Sequence, residues 1–429
     1  MRVLVCHPTR QHAAEVARAL ADANSLEGFL TLLPDERIFR WLPAPVKRAL
    51  PSAIVRNAVP HLPENKVHTL LGPLLLYKAI QYFKRAEGIG DLLVWTLFDL
   101  WAASHVRRRR PDTVVGYEMC AVETFRMAKS LGAKCILDAA GCHYAEQDRV
   151  LFPGKHNFSR AEMRLRWRKR TELDLADLII CCSELARQSY LAAGISGRRI
   201  VVNSLGVDVD LFRPDDGASR SGPTKFVFVG TASRTKGFDV LLEAFRRTSN
   251  AFPAAELHVI GDSESASRFM GYSSDKVVIH GKHSRRELAQ LLGVMDCLVL
   301  PSRLESFGFA VVEALAAGIP AIVTPKVGAS EVITAGENGW IVPVGSAVAL
   351  SKQMSSCCAE PNLAREMRLD CISSAARYKW IDHRKRIFSI IETVASQNRK
   401  VGDNYEAFTL VRNGDAITAP GRAYPDGLS

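Results

Sequence analysis

From Lys225 onward the chain alternates short apolar runs with longer amphipathic ones. Runs at Lys225 to Gly230, Glu256 to Gly261, Lys276 to His280, Cys297 to Pro301 and Ala321 to Thr324 have strand length. The stretches opening at Gly237, at Ser284 and near Gly308 carry helical spacing, and Ser284-Arg285-Arg286-Glu287 before Leu288 fits a capping box. A strand-helix-strand order predicts a parallel sheet covered on both faces, with ligands at the carboxyl ends of its strands. The first half repeats the theme with strands at Arg2 to Cys6, Thr113 to Val115, Lys134 to Asp138 and Leu178 to Cys182. It is interrupted by a Pro-broken insertion from Pro43 to Pro73 and by an apolar, aromatic-rich run from Leu74 to His105 that reads as buried or membrane-facing helices. The expected fold class is α/β, as two Rossmann-like domains facing each other across a cleft. Residues 1–205 form the first and 206–377 the second, a helix near 378–395 packs back on the first, and 400–429 is a flexible tail.

Length agrees, since 429 residues at 47% hydrophobic content exceed what one core usually serves. No stretch of about 18 residues lacks both charge and Pro, so no membrane span is expected. The N-terminus enters a strand directly where a secretory leader would show a basic and then an apolar segment, which favours a cytoplasmic location. Ten cysteines fall without a CxxC pair or framework spacing, which argues for a reducing compartment and against a zinc site. The pairs Cys181-Cys182 and Cys357-Cys358 read as small buried residues.

Charge adds one element. Residues 1–205 hold 30 Lys and Arg against 20 Asp and Glu, and the remainder 26 against 25, so nearly all of the net +11 lies in the first half. Arg107-Arg108-Arg109-Arg110 and the run Arg164, Arg166, Arg168, Lys169, Arg170 are its densest patches. They suit an anionic membrane surface, hence peripheral attachment at the inner face, or an anionic acceptor, or else an ordinary solvated face. No helix-turn-helix, finger or RNP-like signature accompanies them, so no nucleic-acid partner is expected.

The chemistry concentrates in Glu305-Ser306-Phe307-Gly308-Phe309-Ala310-Val311-Val312-Glu313. This segment follows a strand and opens a helix, so amides of Ser306, Phe307 and Gly308 offer unpaired donors at the positive end of the helix dipole, where a diphosphate is well held. Gly308 leaves room for close approach. Glu305 and Glu313 can reach one cleft and accept hydrogen bonds from sugar or ribose hydroxyls. Glu313 lies in an apolar run, where an unpaired carboxylate is costly, so it has a ligand or partner to meet.

These motifs resemble glycosyltransferase family 4, the retaining enzymes of GT-B architecture, whose second domain carries two glutamates separated by seven residues. Gly230-Thr231-Ala232-Ser233-Arg234-Thr235-Lys236-Gly237-Phe238-Asp239 is similar to the family's strand-loop-helix segment ending in Lys-Gly. Asn203-Ser204-Leu205-Gly206-Val207-Asp208 with Phe212 resembles its interdomain signature, Glu172 to Ser183 its segment closing the first domain, and Trp380 the aromatic before its last helix. The resemblance spans about residues 110–395 and implies transfer of a sugar, with retention, from a UDP- or GDP-sugar donor onto a glycan or lipid-linked acceptor in polysaccharide or glycolipid synthesis. It further implies that Gly230, Thr231, Arg234, Lys236 and Gly237 frame the donor and that Lys236 meets its phosphate. Glu305 would touch the donor sugar, Glu313 the ribose, and His143, in the loop after the strand ending at Asp138, would lie near the sugar.

Two departures stand out. Thr231 occupies the place of the family's usual Arg, for which Arg234 could substitute, and His7-Pro8-Thr9-Arg10-Gln11 replaces its glycine-rich first loop. Asp208-Val209-Asp210 has a metal-motif spacing but lies in the interdomain signature, and a Lys with helix amides can neutralise a leaving diphosphate, so no cofactor or metal is expected to be required. Alternative readings are a non-catalytic nucleotide-sugar-binding scaffold and another GT-B enzyme such as a nucleotide-sugar epimerase.

Overall fold

The computed structural model describes residues 1–9, 12–32, 62–70, 89–155, 157–214, 222–269, 276–360 and 362–396. Much of the 43–105 region and all of the 400–429 tail lie outside the described residues.

Two parallel sheets organise the chain. The first comprises β1 (Val3–Cys6), β2 (Leu26–Thr31), β3 (Val67–Thr69), β4 (Thr113–Tyr117), β5 (Lys134–Ala139), β6 (Leu178–Cys181) and β7 (Ile200–Val202), in the order β3-β2-β1-β4-β5-β6-β7. The second comprises β8 (Lys225–Val229), β9 (Glu256–Ile260), β10 (Val277–Gly281), β11 (Cys297–Leu300), β12 (Ala321–Val323) and β13 (Gly339–Ile341), in the order β10-β9-β8-β11-β12-β13. Central strands such as β1 and β11 are buried along their whole length, because helices cover both faces. Strand order reverses between β1 and β4 and between β8 and β11, and those reversals open the crevices in which such sheets bind ligands. This is the α/β fold of two Rossmann-like domains.

The strands β2, β3, β7 and β13 were not legible in the pattern. Three of them are three-residue edge strands, and β2 is interrupted by Glu27-Gly28. The capping box at Ser284 is present: Ser284 Oγ accepts from the Glu287 amide, and the Glu287 carboxylate accepts from the Ser284 amide at 2.7 Å.

The helix Trp380–Ser396 lies on the first domain, against the helix Ala13–Asp22 and β5. Arg384 reaches Glu15 at 2.7 Å, and His383 Nδ1 lies 3.1 Å from the Ser204 carbonyl. The crossover explains the glycine of the interdomain signature. A Cβ on Gly206 would meet the Trp380 backbone at 2.6 Å, while the Val207 amide donates to the Tyr378 carbonyl.

One sequence expectation needs correction. Arg168 is not part of a solvated basic face: it is 3% exposed, donates to the Met119 carbonyl at 2.7 Å and pairs with the fully buried Asp99. Nearby Arg166 pairs with Asp148, and Arg109 with Glu27. The periodicity of the helix Arg160–Leu175 turns Arg168 and Glu172 inward together, four residues apart on one face. Arg107, Arg108, Arg110, Arg164 and Arg170 remain exposed. No described helix is long and apolar enough to cross a membrane.

Candidate functional site

The carboxyl end of β11 runs through Pro301 to a loop and then into the helix Phe309–Ala316. Gly308 caps that helix in a left-handed conformation (φ +98°), and the side chain it lacks would press on Val327 Cγ1 at 2.8 Å, so packing as well as ligand access calls for glycine. The amides of Ser306, Phe307 and Gly308 donate to no described atom in the protein. They line the loop that leads into the helix N-terminus, with Gly308 at its cap.

The loop is braced from below. The Glu305 amide donates to the Lys326 carbonyl and the Gly328 amide to the Glu305 carbonyl, both at 2.8 Å. Phe307 is buried against Phe309, with ring centroids 5.2 Å apart. Ser306 joins the two domains: its Oγ accepts from the Cys142 amide at 2.9 Å, and its carbonyl accepts from the Ser183 hydroxyl. A second crossing is the ion pair of Lys326 with Glu146 at 3.2 Å.

Lys236 reaches the same place from the β8 loop. Gly237 follows it with φ +69°, and a Cβ there would strike the Pro301 carbonyl at 2.0 Å, so only glycine lets this loop lie on the end of β11. The Lys236 ammonium contacts the Glu305 carboxylate. Burial lowers the Lys236 pKa to about 8, while the adjoining carboxylate favours the charged form. A partly dehydrated ammonium of this kind has strong reason to meet a phosphate.

Glu313 is 8% exposed, and its only described polar partner is Arg285, at 3.3 Å. Burial raises the Glu313 pKa and Arg285 opposes the rise. The Arg285 guanidinium also lies over the Phe212 ring, 5.4 Å from its centroid. Sequence reading had used Arg285 only to mark a helix start. The signal available was its place as the first residue of the helix that follows β10.

Gly230 and Thr231 close the edge of the crevice, and Thr231 is exposed. Arg234, the suggested replacement for the family's arginine, is 84% exposed on its side chain and turns toward Asp239 at 3.8 Å, and Asp239 is already held by both nitrogens of Arg303. Arg234 is therefore not gathered with Lys236 and Glu305 in this arrangement.

His143 is buried and caps the helix Tyr144–Leu151. Its Nδ1 accepts from the Ala145 amide at 3.2 Å, which assigns the proton of the neutral ring to Nε2. Burial lowers its pKa, so near neutrality this imidazole is a hydrogen-bond donor. The neighbouring Cys142 amide binds Ser306, which ties the His143 loop to the Glu305 loop.

Asp208 of the Asp-Val-Asp triplet accepts from the Leu211 amide at 3.1 Å and serves a local turn. Among the described residues no group of three His, Cys, Asp or Glu is placed to hold a metal ion. None of the ten cysteines forms a disulfide, and nine of them are buried.

The profile described as glycosyl transferases group 1 matches residues 212–377. A D-inositol 3-phosphate glycosyltransferase of Segniliparus rotundus is 30% identical over 43% of this chain and 44% of its own length. A putative colanic acid biosynthesis glycosyltransferase, WcaL of Escherichia coli, is 27% identical over 42% of this chain and 47% of its own. The chain thus spans about half the length of these curated relatives. Among solved structures, Anabaena HepE in complex with UDP superposes with TM-score 0.61 at 14% identity, over 92% of this chain and all of that one. WaaG, a glycosyltransferase involved in lipopolysaccharide biosynthesis, superposes with TM-score 0.62 at 14% identity, over 91% and 99%.

Proposed function

Residues 212–377 of this chain belong to the group 1 glycosyl transferases, and on that premise we propose that the protein is a retaining glycosyltransferase acting from a UDP- or GDP-sugar onto a glycan or lipid-linked acceptor. The observation that carries the reading is the Lys236–Glu305 contact beside the free amides of Ser306 to Gly308.

In this reading the diphosphate lies across the helix N-terminus and takes over the Lys236 ammonium. The helix dipole and the ammonium stabilise the negative charge that grows on the leaving diphosphate, and Glu305 the positive charge on the sugar ring. Glu313 accepts from the ribose hydroxyls, and His143 Nε2–H donates to a sugar hydroxyl. The bond from the anomeric carbon to the phosphate oxygen breaks with its electrons going to the diphosphate. The acceptor oxygen then attacks on the same face, and its proton passes to the departing phosphate. Lys236 and the amides supply the neutralisation that a metal would otherwise provide, so no cofactor is required. The relatives named for polysaccharide and glycolipid steps support a role in such a synthesis, at an anionic membrane surface met by the exposed arginines of the first domain.

Thr231 and the outward Arg234 favour one other reading, a scaffold that binds nucleotide-sugars without turning them over. Incubation with a panel of UDP- and GDP-hexoses, scored by released nucleotide, separates the two. Release that is lost in Lys236→Ala supports transfer, and binding of UDP or GDP without release for any donor, with or without acceptor sugars, sinks it.

A further inference from the structure

Ser306 offers its main-chain amide to the crevice, while its hydroxyl and carbonyl both turn to the first domain. Ser306 Oγ accepts from the Cys142 amide at 2.9 Å, and the Ser306 carbonyl accepts from the Ser183 hydroxyl and, at 3.5 Å, from the Cys182 thiol. The approach is close enough to demand glycine beside it. A Cβ on Gly328 would strike the Ser306 carbonyl at 2.1 Å and Ser183 Oγ at 2.7 Å. The ion pair of Lys326 with Glu146 crosses the same seam, but its side chains are 37% and 18% exposed, where screening leaves such a pair little strength. The Ser306 contacts are the better-made link.

What they hold is the loop of His143. The Cys142 amide goes to Ser306, the Cys142 carbonyl accepts from Gln147 Nε2 at 2.6 Å, and the His143 amide donates to Ser189 Oγ at 2.8 Å. Gln147 and Ser189 belong to the first domain and move with it. Ser306 alone of the three fixes the loop relative to Lys236 and Glu305. Cys142 is fully buried, so loss of the Ser306 hydroxyl would leave its N–H unpaired, a penalty larger than the net worth of the bond itself. Any shift that relieves the penalty carries the adjoining imidazole with it, and a misplacement of about 1 Å is enough to cost roughly 100-fold in rate.

We propose that Ser306 is a positioning residue that acts through His143: its main chain meets the donor diphosphate while its hydroxyl clasps the Cys142 amide, so that seating the donor and bringing His143 to the sugar become one linked event. The proposal rests on the glycosyltransferase reading. In that reading a nucleotide alone is held by the second domain, whereas a nucleotide-sugar is met from both sides. A ligand shifts an equilibrium only by its differential affinity for the two states, so the Ser306 hydroxyl matters for turnover of the nucleotide-sugar and hardly at all for binding of the nucleotide.

The test compares the full chain with Ser306→Ala, Ser306→Thr, His143→Ala and the double variant of Ser306→Ala with His143→Ala. UDP and GDP affinities are read by calorimetry, and kcat/KM by nucleotide released from the UDP- or GDP-hexose that the wild type turns over fastest. Ser306→Ala is expected to bind nucleotide within about twofold of wild type, which also reports a folded donor loop, and to lose roughly tenfold or more in kcat/KM. Ser306→Thr keeps the hydroxyl and should recover part of the loss. In the His143→Ala background the Ser306→Ala change should cost at most about twofold, because the group that Ser306 positions is already gone, whereas a residue that only supported the fold would cost as much in either background. The proposal is overturned by wild-type kcat/KM in Ser306→Ala or in His143→Ala, by an undiminished loss in the double variant, by a Ser306→Thr no better than Ser306→Ala, or by nucleotide affinity that falls along with turnover. A wild-type protein that releases nucleotide from no UDP- or GDP-hexose overturns the glycosyltransferase reading beneath it, and this proposal with it.

Discussion

The guanidinium of Arg285 lies 3.3 Å from the carboxylate of Glu313, so the position that would receive a ribose already holds an internal partner. A diol that reaches Glu313 must share it with Arg285, which itself rests on Phe212. Arg285 also favours the ionised form of a buried carboxyl, opposing the rise that burial gives the Glu313 pKa.

Removing Arg285 should therefore make nucleotide affinity more sensitive to acid. Glu313 accepts from both hydroxyls of a diol best as the carboxylate, since protonation turns one of its oxygens into a donor, and without Arg285 its pKa moves further upward. In Arg285→Ala the pH at which UDP or GDP affinity falls should shift up relative to wild type. Calorimetric titrations between about pH 5 and 8 check this, and identical profiles would remove Arg285 from the site.

Lys236→Ala and Glu305→Ala should act on turnover, since the charges they face grow as the sugar–phosphate bond breaks. Loss of such a contact typically costs ~3 to 4 kcal/mol, or roughly 100- to 1000-fold in kcat. Glu313→Ala should mainly raise KM, because ribose contacts hold ground and transition states alike. Burial lowers the Lys236 pKa toward about 8 and the Glu305 contact opposes that, so kcat/KM should decline as pH rises above that value, and Lys236→Arg should move the decline upward. Near-wild-type kcat in the first two variants would refute the assignment.

The buried cluster under Met119 has one cation and two carboxyls, and burial pushes Glu172 up to about 8. An unfolded Glu titrates near 4.3, so between about 4.3 and 8 the native state binds a proton that the unfolded state has released. Stability then falls as pH rises across that window. Thermal midpoints measured in steps of pH should show the decline, and Glu172→Gln should flatten it. Parallel slopes in both proteins would assign the decline to other groups.

Binding to anionic liposomes should weaken with salt and with neutralisation of the exposed Arg107 and Arg108, each worth about 1 kcal/mol near such a surface. Arg168 belongs to a different class: Arg168→Ala strands Asp99 in the core and should destabilise the protein by about 3 to 5 kcal/mol in denaturant titrations. If co-sedimentation at low salt detects no binding, the exposed arginines serve solubility instead.

The second domain was the more legible in sequence. Its strands centre on short apolar runs set off by helices, and the pattern around Glu305 joins a strand end, a glycine and a helix start within a few residues. Three-residue edge strands such as β7 and β13 carry too few positions to show any period. Arg168 looked like surface charge because an arginine run has no apolar contrast, and its inward turn becomes visible only once Asp99, 69 residues earlier, is placed beside it. Arg285 and the side chain of Ser306 were missed for the same reason: each gains meaning from a partner distant in the chain, Glu313 and Cys142 respectively.

The return of the helix Trp380–Ser396 onto the first domain makes that domain discontinuous in the chain. The second domain is in effect an insertion, entered at Gly206-Val207 and left at Tyr378-Lys379, where the two crossings run side by side. Two tethers at one place restrict relative movement to a hinge about that line, with little freedom to separate or twist. The same architecture forbids a clean division into halves. A fragment ending at Leu205 would lack the helix that covers His12 and salt-bridges Glu15, whereas the 207–378 segment contains every strand of its own sheet.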